Sequence, residues 1–197
     1  MGNIGSLSNA IYSQGWDPIL VSKPIDVNDI SHLIIPGVGA YDAAMRLLSQ
    51  KNLIPFINQF ASAGKPLMGI CLGMQILSTT GSENCESEGL GLISGNVRLM
   101  SSSENCKLPH VGWNNISLSQ EHILLEGIKE NIDFYFVHSF CFEAEYERNI
   151  IAHTEYENTF TSIVAHKNIF GTQFHPEKSQ KNGLKIIDNF CLWDGKC

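Results

Sequence analysis

The chain has 197 residues, 43% of them hydrophobic, and carries a formal net charge of −7 at neutral pH. A chain of this length buries one sizeable core, so we expect a single domain over residues 1–197. With only 13 Lys and Arg residues, it lacks the concentrated basic surface that binding to phosphates requires, which argues against a nucleic-acid partner.

The sequence also argues against a membrane or a secreted protein. No apolar run approaches the roughly 20 residues of a membrane span, and the N-terminus lacks a signal peptide, so the cytoplasm is the expected location. The 6 cysteines lie far apart without a C-x-x-C pair. We therefore expect free thiols in a reducing compartment, with no metal site and no cofactor.

Apolar runs alternate with helix-like stretches in the first half of the chain. Residues 1–6 are typical of a turn that leads into a helix, with no strand before it. Strands are predicted at 18–21, 33–35 and 66–70, and helices at 40–48 and 53–63, the second ending at Gly64. Strands connected by helices indicate an α/β fold with a parallel sheet.

The second half of the chain has closely spaced short strands, so the sheet should be mixed. The clearest are residues 96–100, 134–137, 162–166 and 169–174. The last two are separated by Lys167-Asn168, a polar gap of two residues that predicts a hairpin. Residues 183–192 repeat apolar side chains at helical spacing and predict a closing helix.

The strongest local signal is Gly69-Ile70-Cys71-Leu72-Gly73, between the strand at 66–70 and a helix-like stretch at 74–78. This pattern is typical of a nucleophile elbow with cysteine in place of serine. The sharp turn strains the nucleophile's backbone, and flanking glycines let neighbouring main chain approach. The alternative is a buried core cysteine beside packing glycines.

A thiol nucleophile needs a base, and His175 is the best candidate among the 7 histidines. It lies in His175-Pro176-Glu177, where proline stiffens a turn and holds a carboxylate close to the imidazole. Such a histidine can take the thiol proton and later protonate the leaving amine, while Glu177 orients it. Without Cys71, a plain surface turn would be the better interpretation.

Residues 36–39, Pro-Gly-Val-Gly, follow the strand at 33–35. Glycine-rich backbone at the carboxyl end of a strand can point N–H groups at the active-site edge of an open sheet, as an oxyanion hole requires. The alternative is an ordinary strand-to-helix turn.

Together these residues resemble the class I, triad-type glutamine amidotransferases, and among them the glutaminase subunits of imidazole glycerol phosphate synthases. The resemblance runs over nearly the whole chain and implies a three-layer α/β fold with a mixed, mostly parallel central sheet. The segments that carry it are 36–39, 69–75, 109–114, 135–140 and 171–179.

The resemblance implies glutamine hydrolysis. Cys71 would attack the glutamine side-chain amide and form a glutamyl thioester, and His175 and Glu177 would complete the triad. Backbone N–H groups of Leu72 and of Val38-Gly39 would hold the oxyanion.

The resemblance also implies a substrate pocket. Gln75 would contact the substrate glutamine, and Glu83 would meet its ammonium group. Ser139 and Phe140 would contribute main chain to the same pocket.

The implied partner is a (β/α)₈-barrel cyclase, which would form a heterodimer with this chain and receive its ammonia for histidine biosynthesis. Four positions match the interface in the family: Asn3, Trp113, Tyr135 and Lys178. As alternatives, the two aromatic residues could be core residues and the lysine a solvated surface charge.

The sequence departs from the family pattern at its start, because the usual first strand is missing. We expect either a start codon placed too late or a weakened, aggregation-prone domain. Three other functions remain open: a paralogous glutaminase that supplies ammonia for amidating surface sugars, a weakly active interaction subunit, and a free-standing cysteine hydrolase.

Overall fold

A computed structural model describes residues 4–103, 107–129 and 132–196. The helices are α1 Ile4–Ser13, α2 Tyr41–Gln50, α3 Leu53–Ser62, α4 Leu72–Gln75 and α5 Gln180–Leu192. The strands are β1 Leu33–Gly37, β2 Leu67–Cys71, β3 Thr80–Gly81, β4 Ser87–Glu88, β5 Gly95–Leu99, β6 His110–Asn115, β7 Ser117–Leu118, β8 Asp133–His138, β9 Phe140–Ala144, β10 Ile150–Tyr156, β11 Asn158–His166 and β12 Ile169–Thr172. None of the described helices is long and apolar enough to cross a membrane.

The main sheet is mixed, as predicted, with the strand order β1-β2-β12-β11-β9-β5-β3-β4. β2 pairs in parallel with both β1 and β12, so a parallel arrangement holds for the strands that carry the predicted site. The other pairings in this sheet are antiparallel, apart from the short β3–β5 pair. β6 and β8 form a separate antiparallel ribbon.

Helices cover both faces of the main sheet, which confirms the three-layer arrangement. On one face, α2 and α3 bury Tyr41 and Phe60 in a core shared with the sheet. On the other, α1 and α5 bury Leu7 and Phe190 in a second core. Burial of these apolar side chains is the main force holding the layers together.

The strand predicted at residues 18–21 is wrong. These residues form no strand, and Ile19 and Leu20 are 63% and 71% exposed. Residues 16–22 and part of β1 line a common apolar groove of about 580 Å³. In the described part of the chain β1 pairs only with β2. Residues 18–21 line the groove beside β1 without pairing with it, and an apolar run without a paired neighbour does not become a strand.

The helices near the site agree with the sequence except after Cys71. α2, α3 and the β11–β12 hairpin are confirmed, with Lys167 at a φ of 54° in its turn. The helix predicted at 74–78 is instead the single turn α4, which follows β2 without a loop. Within the described residues α1 precedes every strand, as the sequence predicted.

Candidate active site

Cys71 lies where β2 ends and α4 begins, in the sharp turn that the sequence predicted. Its φ of 55° and ψ of −113° place a residue with a side chain in a region that favours glycine. Such backbone strain persists only where the surroundings enforce it, and it concentrates at functional sites.

Glycines allow the main chain to pass this turn closely. A Cβ on Gly69 would lie 2.5 Å from the carbonyl oxygen of Gly73. A Cβ on Gly73 would overlap the carbonyl oxygen of Ile35, and one on Gly37 would lie 2.8 Å from the Leu72 Cβ. The elbow is therefore clamped between its own strand and the end of β1.

His175 and Glu177 form a buried pair. His175 Nδ1 lies 2.8 Å from Glu177 Oε1, with side-chain exposures of 3% and 5%. Burial by itself lowers the pKa of His175, but hydrogen bonds and charge interactions with Cys71 and Glu177 outweigh it and raise that pKa to about 9. At neutral pH the ring is consequently an imidazolium.

This imidazolium faces the sulfur of Cys71. Its Nε2 atom is buried and makes no aligned hydrogen bond with the described residues, yet its interaction with Cys71 is strong enough to shift the histidine pKa. The cation therefore lies next to the atom that is predicted to be the nucleophile.

The Cys71 sulfur also lies 3.8 Å from Gln173 Nε2 and 3.8 Å from the carbonyl oxygen of Val137. Gln173 is fully buried and was not singled out from the sequence. A signal existed, since a glutamine inside an apolar strand-like run must find buried hydrogen-bond partners. Its Oε1 atom accepts a hydrogen bond of 3.1 Å from Gln75 Nε2.

The predicted substrate residues meet beside Cys71. Gln75 is 4% exposed, and its Nε2 atom donates a hydrogen bond of 2.9 Å to the carbonyl oxygen of Phe140. The carbonyl oxygen of the neighbouring Ser139 accepts a hydrogen bond of 2.9 Å from Met100. The main chain at 139–140 is thus held in place from two sides.

The segment predicted to form an oxyanion hole, residues 36–39, begins in the last residues of β1, beside the elbow, and ends just before α2. Gly39 has a φ of 106°, and Val38 is 41% exposed. Glu83 Oε2 accepts a hydrogen bond of 2.8 Å from the backbone N–H of Tyr41, so the Glu83 carboxylate is fixed at the start of α2. Leu72 is buried.

Three of the four predicted interface residues lie together at the outer face of the β6–β8 ribbon. Trp113 is 47% exposed, so it is not a core aromatic. Its ring contacts Tyr135 at 6.0 Å between centroids, and Lys178 Nζ lies 5.5 Å from the Tyr135 ring. The carbonyl oxygen of Tyr135 accepts a hydrogen bond of 2.9 Å from His175 N, which joins this surface to the base. Asn3 lies outside the described residues.

The other described cysteines differ from Cys71 in their surroundings. Burial raises the pKa of both Cys141 and Cys191 to about 11, whereas Cys85 is exposed. All four are free thiols. Among the described residues, no group of three or more His, Cys, Asp or Glu side chains could hold a metal ion.

Comparison with known proteins agrees with this geometry. The family model of the class-I glutamine amidotransferases matches residues 4–193. A crystal structure of a glutamine amidotransferase superposes with a TM-score of 0.74 at 17% identity, covering 96% of this chain and 95% of that one. The chain therefore belongs to the class-I glutamine amidotransferase family.

Within that family, the chain is similar to proteins named imidazole glycerol phosphate synthase subunit HisH. It is 44% identical over 191 residues to HisH 2 of Methanococcus maripaludis, covering 96% of this chain and 94% of its relative. It is 45% identical over 193 residues to HisH of Sulfurimonas denitrificans, covering 96% and 93%.

Proposed function

We propose that this chain is the glutaminase subunit of an imidazole glycerol phosphate synthase. It hydrolyses glutamine to glutamate and ammonia, and it passes the ammonia to a (β/α)₈-barrel cyclase subunit in histidine biosynthesis. The observation that carries the proposal is the strained Cys71 beside the buried His175–Glu177 pair, in a chain 44% identical to a HisH subunit.

The first half of the reaction forms a thioester. The Cys71 thiolate attacks the side-chain amide carbon of glutamine, and the carbonyl oxygen becomes an oxyanion. The His175 imidazolium gives its proton to the nitrogen that leaves, so ammonia departs and a glutamyl thioester remains. Glu177 holds the ring in the orientation that this transfer requires.

The second half uses water. His175, now neutral, takes a proton from a water molecule that attacks the thioester carbon. The carbon–sulfur bond breaks, glutamate leaves, and the Cys71 thiolate and the His175 imidazolium are restored. The reaction therefore converts glutamine and water into glutamate, ammonia and one proton, which the new carboxyl group releases.

In this proposal the remaining predicted residues bind the substrate and stabilise the negative charge of the oxyanion. Backbone N–H groups of Leu72 and of Val38-Gly39 stabilise the oxyanion, since such donors act where negative charge develops. Gln75 and the main chain of Ser139 and Phe140 hold the substrate, since Gln75 bonds both to the Phe140 carbonyl oxygen and to Gln173 beside Cys71. Glu83 receives the substrate ammonium group.

The outer face of the β6–β8 ribbon docks the barrel subunit. Its exposed Trp113, with Tyr135 and Lys178 beside it, offers the aromatic and cationic side chains that are enriched where proteins bind one another. The interface between the two subunits must exclude water, because ammonia that reaches bulk water becomes protonated and unreactive. We expect the heterodimer to act in the cytoplasm, with residues 1–197 as one domain.

The test compares two nitrogen sources in the assembled complex with a barrel cyclase. Cys71→Ala should lower glutamine-dependent synthesis at least about 1,000-fold and leave ammonia-dependent synthesis intact, because added ammonia bypasses the glutaminase site. The matched control is Cys191→Ala, which removes another free cysteine, near the end of α5 and outside the proposed site, and should change neither activity. Loss of both activities in Cys71→Ala would contradict the proposal.

The glutaminase site does not contact the acceptor, so the acceptor needs its own test. Expression of this chain should restore growth without histidine to cells lacking their own glutaminase subunit. Failure there, together with ammonia transfer to a sugar substrate, would favour the sugar-amidating alternative.

A further inference from the structure

His110 and His138 form a buried pair that the proposed chemistry does not use. They lie opposite each other in β6 and β8 and are 3% and 6% exposed. His110 Nδ1 lies 3.2 Å from His138 Nε2, and His138 Nδ1 lies 2.8 Å from the carbonyl oxygen of Phe140. A buried polar pair of this kind needs a reason, since apolar residues would pack there at lower cost.

Chemistry fixes the proton on each ring. A carbonyl oxygen only accepts, so His138 Nδ1 carries the hydrogen and its Nε2 atom is the acceptor. His110 must therefore donate from Nδ1, which leaves its own Nε2 atom as an acceptor for Asn114 Nδ2 at 3.5 Å. Asn114 cannot turn its amide around, because Nδ2 also donates to the carbonyl oxygen of Glu155 at 2.8 Å.

Both rings stay neutral at physiological pH. Burial lowers the pKa of His110 to about 4 and that of His138 to about 3. The His110 ring is stacked on Tyr156 at 4.0 Å and on Phe136 at 5.0 Å between centroids. The donor direction therefore runs one way, from Asn114 through the two rings to Phe140.

The carbonyl oxygen of Phe140 connects this series of hydrogen bonds to the side chains around Cys71. The same oxygen accepts from Gln75 Nε2 at 2.9 Å, and the second hydrogen of that amide goes to Gln173 Oε1 at 3.1 Å. This arrangement turns Gln173 Nε2 toward the Cys71 sulfur at 3.8 Å. Moving the Phe140 carbonyl would disturb both Gln75 and Gln173.

We propose that His138, held in one tautomer by His110, is a positioning residue that fixes the Phe140 carbonyl and through it the glutamine-binding side of the pocket. This inference rests on the proposed glutaminase function, in which Gln75 and Phe140 bind the substrate. His138 touches neither substrate nor sulfur, so its effect passes through Phe140 and Gln75.

Two amide substitutions test the assignment, because they place the same group at different ring positions. His138→Asn puts an N–H near the Nδ1 position and can still donate to Phe140, whereas His138→Gln puts its amide near the Nε2 position and cannot. We expect the KM for glutamine to rise about tenfold in His138→Gln, the loss of roughly one hydrogen bond, and no more than about threefold in His138→Asn.

The KM of glutamine hydrolysis is the informative readout. A variant that is only partly folded lowers the apparent kcat and leaves KM unchanged, whereas a displaced Phe140 carbonyl raises KM. Ammonia-dependent synthesis by the complex checks that each variant is folded and assembled. Equal KM values in the two amide variants, or a higher KM in His138→Asn, would overturn the inference.

A second comparison decides the matter if His138→Gln does not fold. His110→Asn keeps a donor near Nδ1 for His138, and His110→Phe keeps the stacking but removes the donor. The phenylalanine variant should have the higher KM by about threefold, and identical values would overturn the inference. A wild-type complex that releases no glutamate from glutamine would instead refute the proposed function itself.

Discussion

The strain at Cys71 depends on what surrounds it. The positive φ persists because β1, β2 and α4 leave the elbow no other path, and each close approach occurs at a glycine. The sequence could predict this feature because both the glycines and the cysteine are local. The size of the strain could not be predicted, since it depends on how closely β1 passes the turn at Cys71.

Gly73→Ala should damage the elbow more than any other single methyl group. Its Cβ would overlap the carbonyl oxygen of Ile35, and backbone cannot move aside as a flexible side chain can. We expect a loss of about 3 kcal/mol or more in the free energy of unfolding, measured in urea, and a loss of glutaminase activity.

Gly15→Ala is the matched control for this substitution. Unlike Gly73, Gly15 has a positive φ, 87°, but nothing lies within 4 Å of a Cβ placed there. The substitution should cost only about 1 kcal/mol, because a side chain is strained at this φ but meets no neighbouring atom. Similar losses in the two variants would show that the contact with β1 is not what matters.

The charge on His175 should make stability depend on pH. Burial opposes the charge, but Cys71 and Glu177 raise the folded-state pKa to about 9, above the ordinary value of 6.5. The contribution is therefore fully present below about pH 6.5 and is lost as the pH rises through about 9. It amounts to about 3 kcal/mol at most.

Unfolding in urea at several pH values measures this contribution. The stability difference between the wild-type protein and His175→Gln should shrink between pH 6.5 and about 9.5, because the variant has no group to titrate. A difference that stays constant over this range would mean that His175 is not charged in the folded protein.

At the scale of elements, the β6–β8 ribbon has an inner face, toward the core, and an outer face, toward solvent. His110, Phe136 and His138 face inward, and Trp113 faces outward. Alternation along a strand makes such a division predictable in principle. The contact between His110 and His138 was not predicted, because it depends on how two strands 28 residues apart come into register.

Lys178→Ala should weaken docking of the proposed barrel subunit without changing the proposed triad. Lys178 is exposed and lies over the Tyr135 ring, so its removal costs a cation–π contact and any charge pair with the partner. We expect the Kd of the complex to rise about tenfold, with glutamine turnover of the saturated complex less affected. Titration calorimetry measures the Kd.

Lys181→Ala is the control, since Lys181 is an exposed lysine in the neighbouring helix α5. Its removal changes the net charge equally. Equal weakening by the two variants would assign the effect to overall charge rather than to the surface around Tyr135.

At the scale of the whole molecule, the sheet is better packed at its centre than at its β1 edge. β2 is buried along its whole length, whereas the groove beside β1 leaves apolar side chains accessible. The prediction of a strand at 18–21 was wrong here. A strand needs a paired neighbour, and the hydrophobicity of a run does not show whether such a neighbour is present. The central strands were predictable, since continuous apolar runs mark strands that are covered on both faces.

The groove should make the protein prone to association. Leu20 is 71% exposed beside it, and accessible apolar surface next to a strand edge promotes aggregation. Leu20→Lys should raise the soluble concentration about twofold or more, measured by light scattering, and change the free energy of unfolding by no more than about 0.5 kcal/mol. Ser62→Lys adds the same charge at an exposed polar position outside the groove, and an equal gain from it would exclude the apolar surface as the cause.

Because the described thiols differ in burial, alkylation can measure the fraction of molecules that have an intact active site. Burial keeps Cys141 and Cys191 protonated at neutral pH, so an alkylating reagent should modify them slowly. Replacing the exposed Cys85 by serine removes a competing fast reaction. In that background, the modification of Cys71 that free glutamine slows would give a titration of intact active sites, independent of any partner or acceptor.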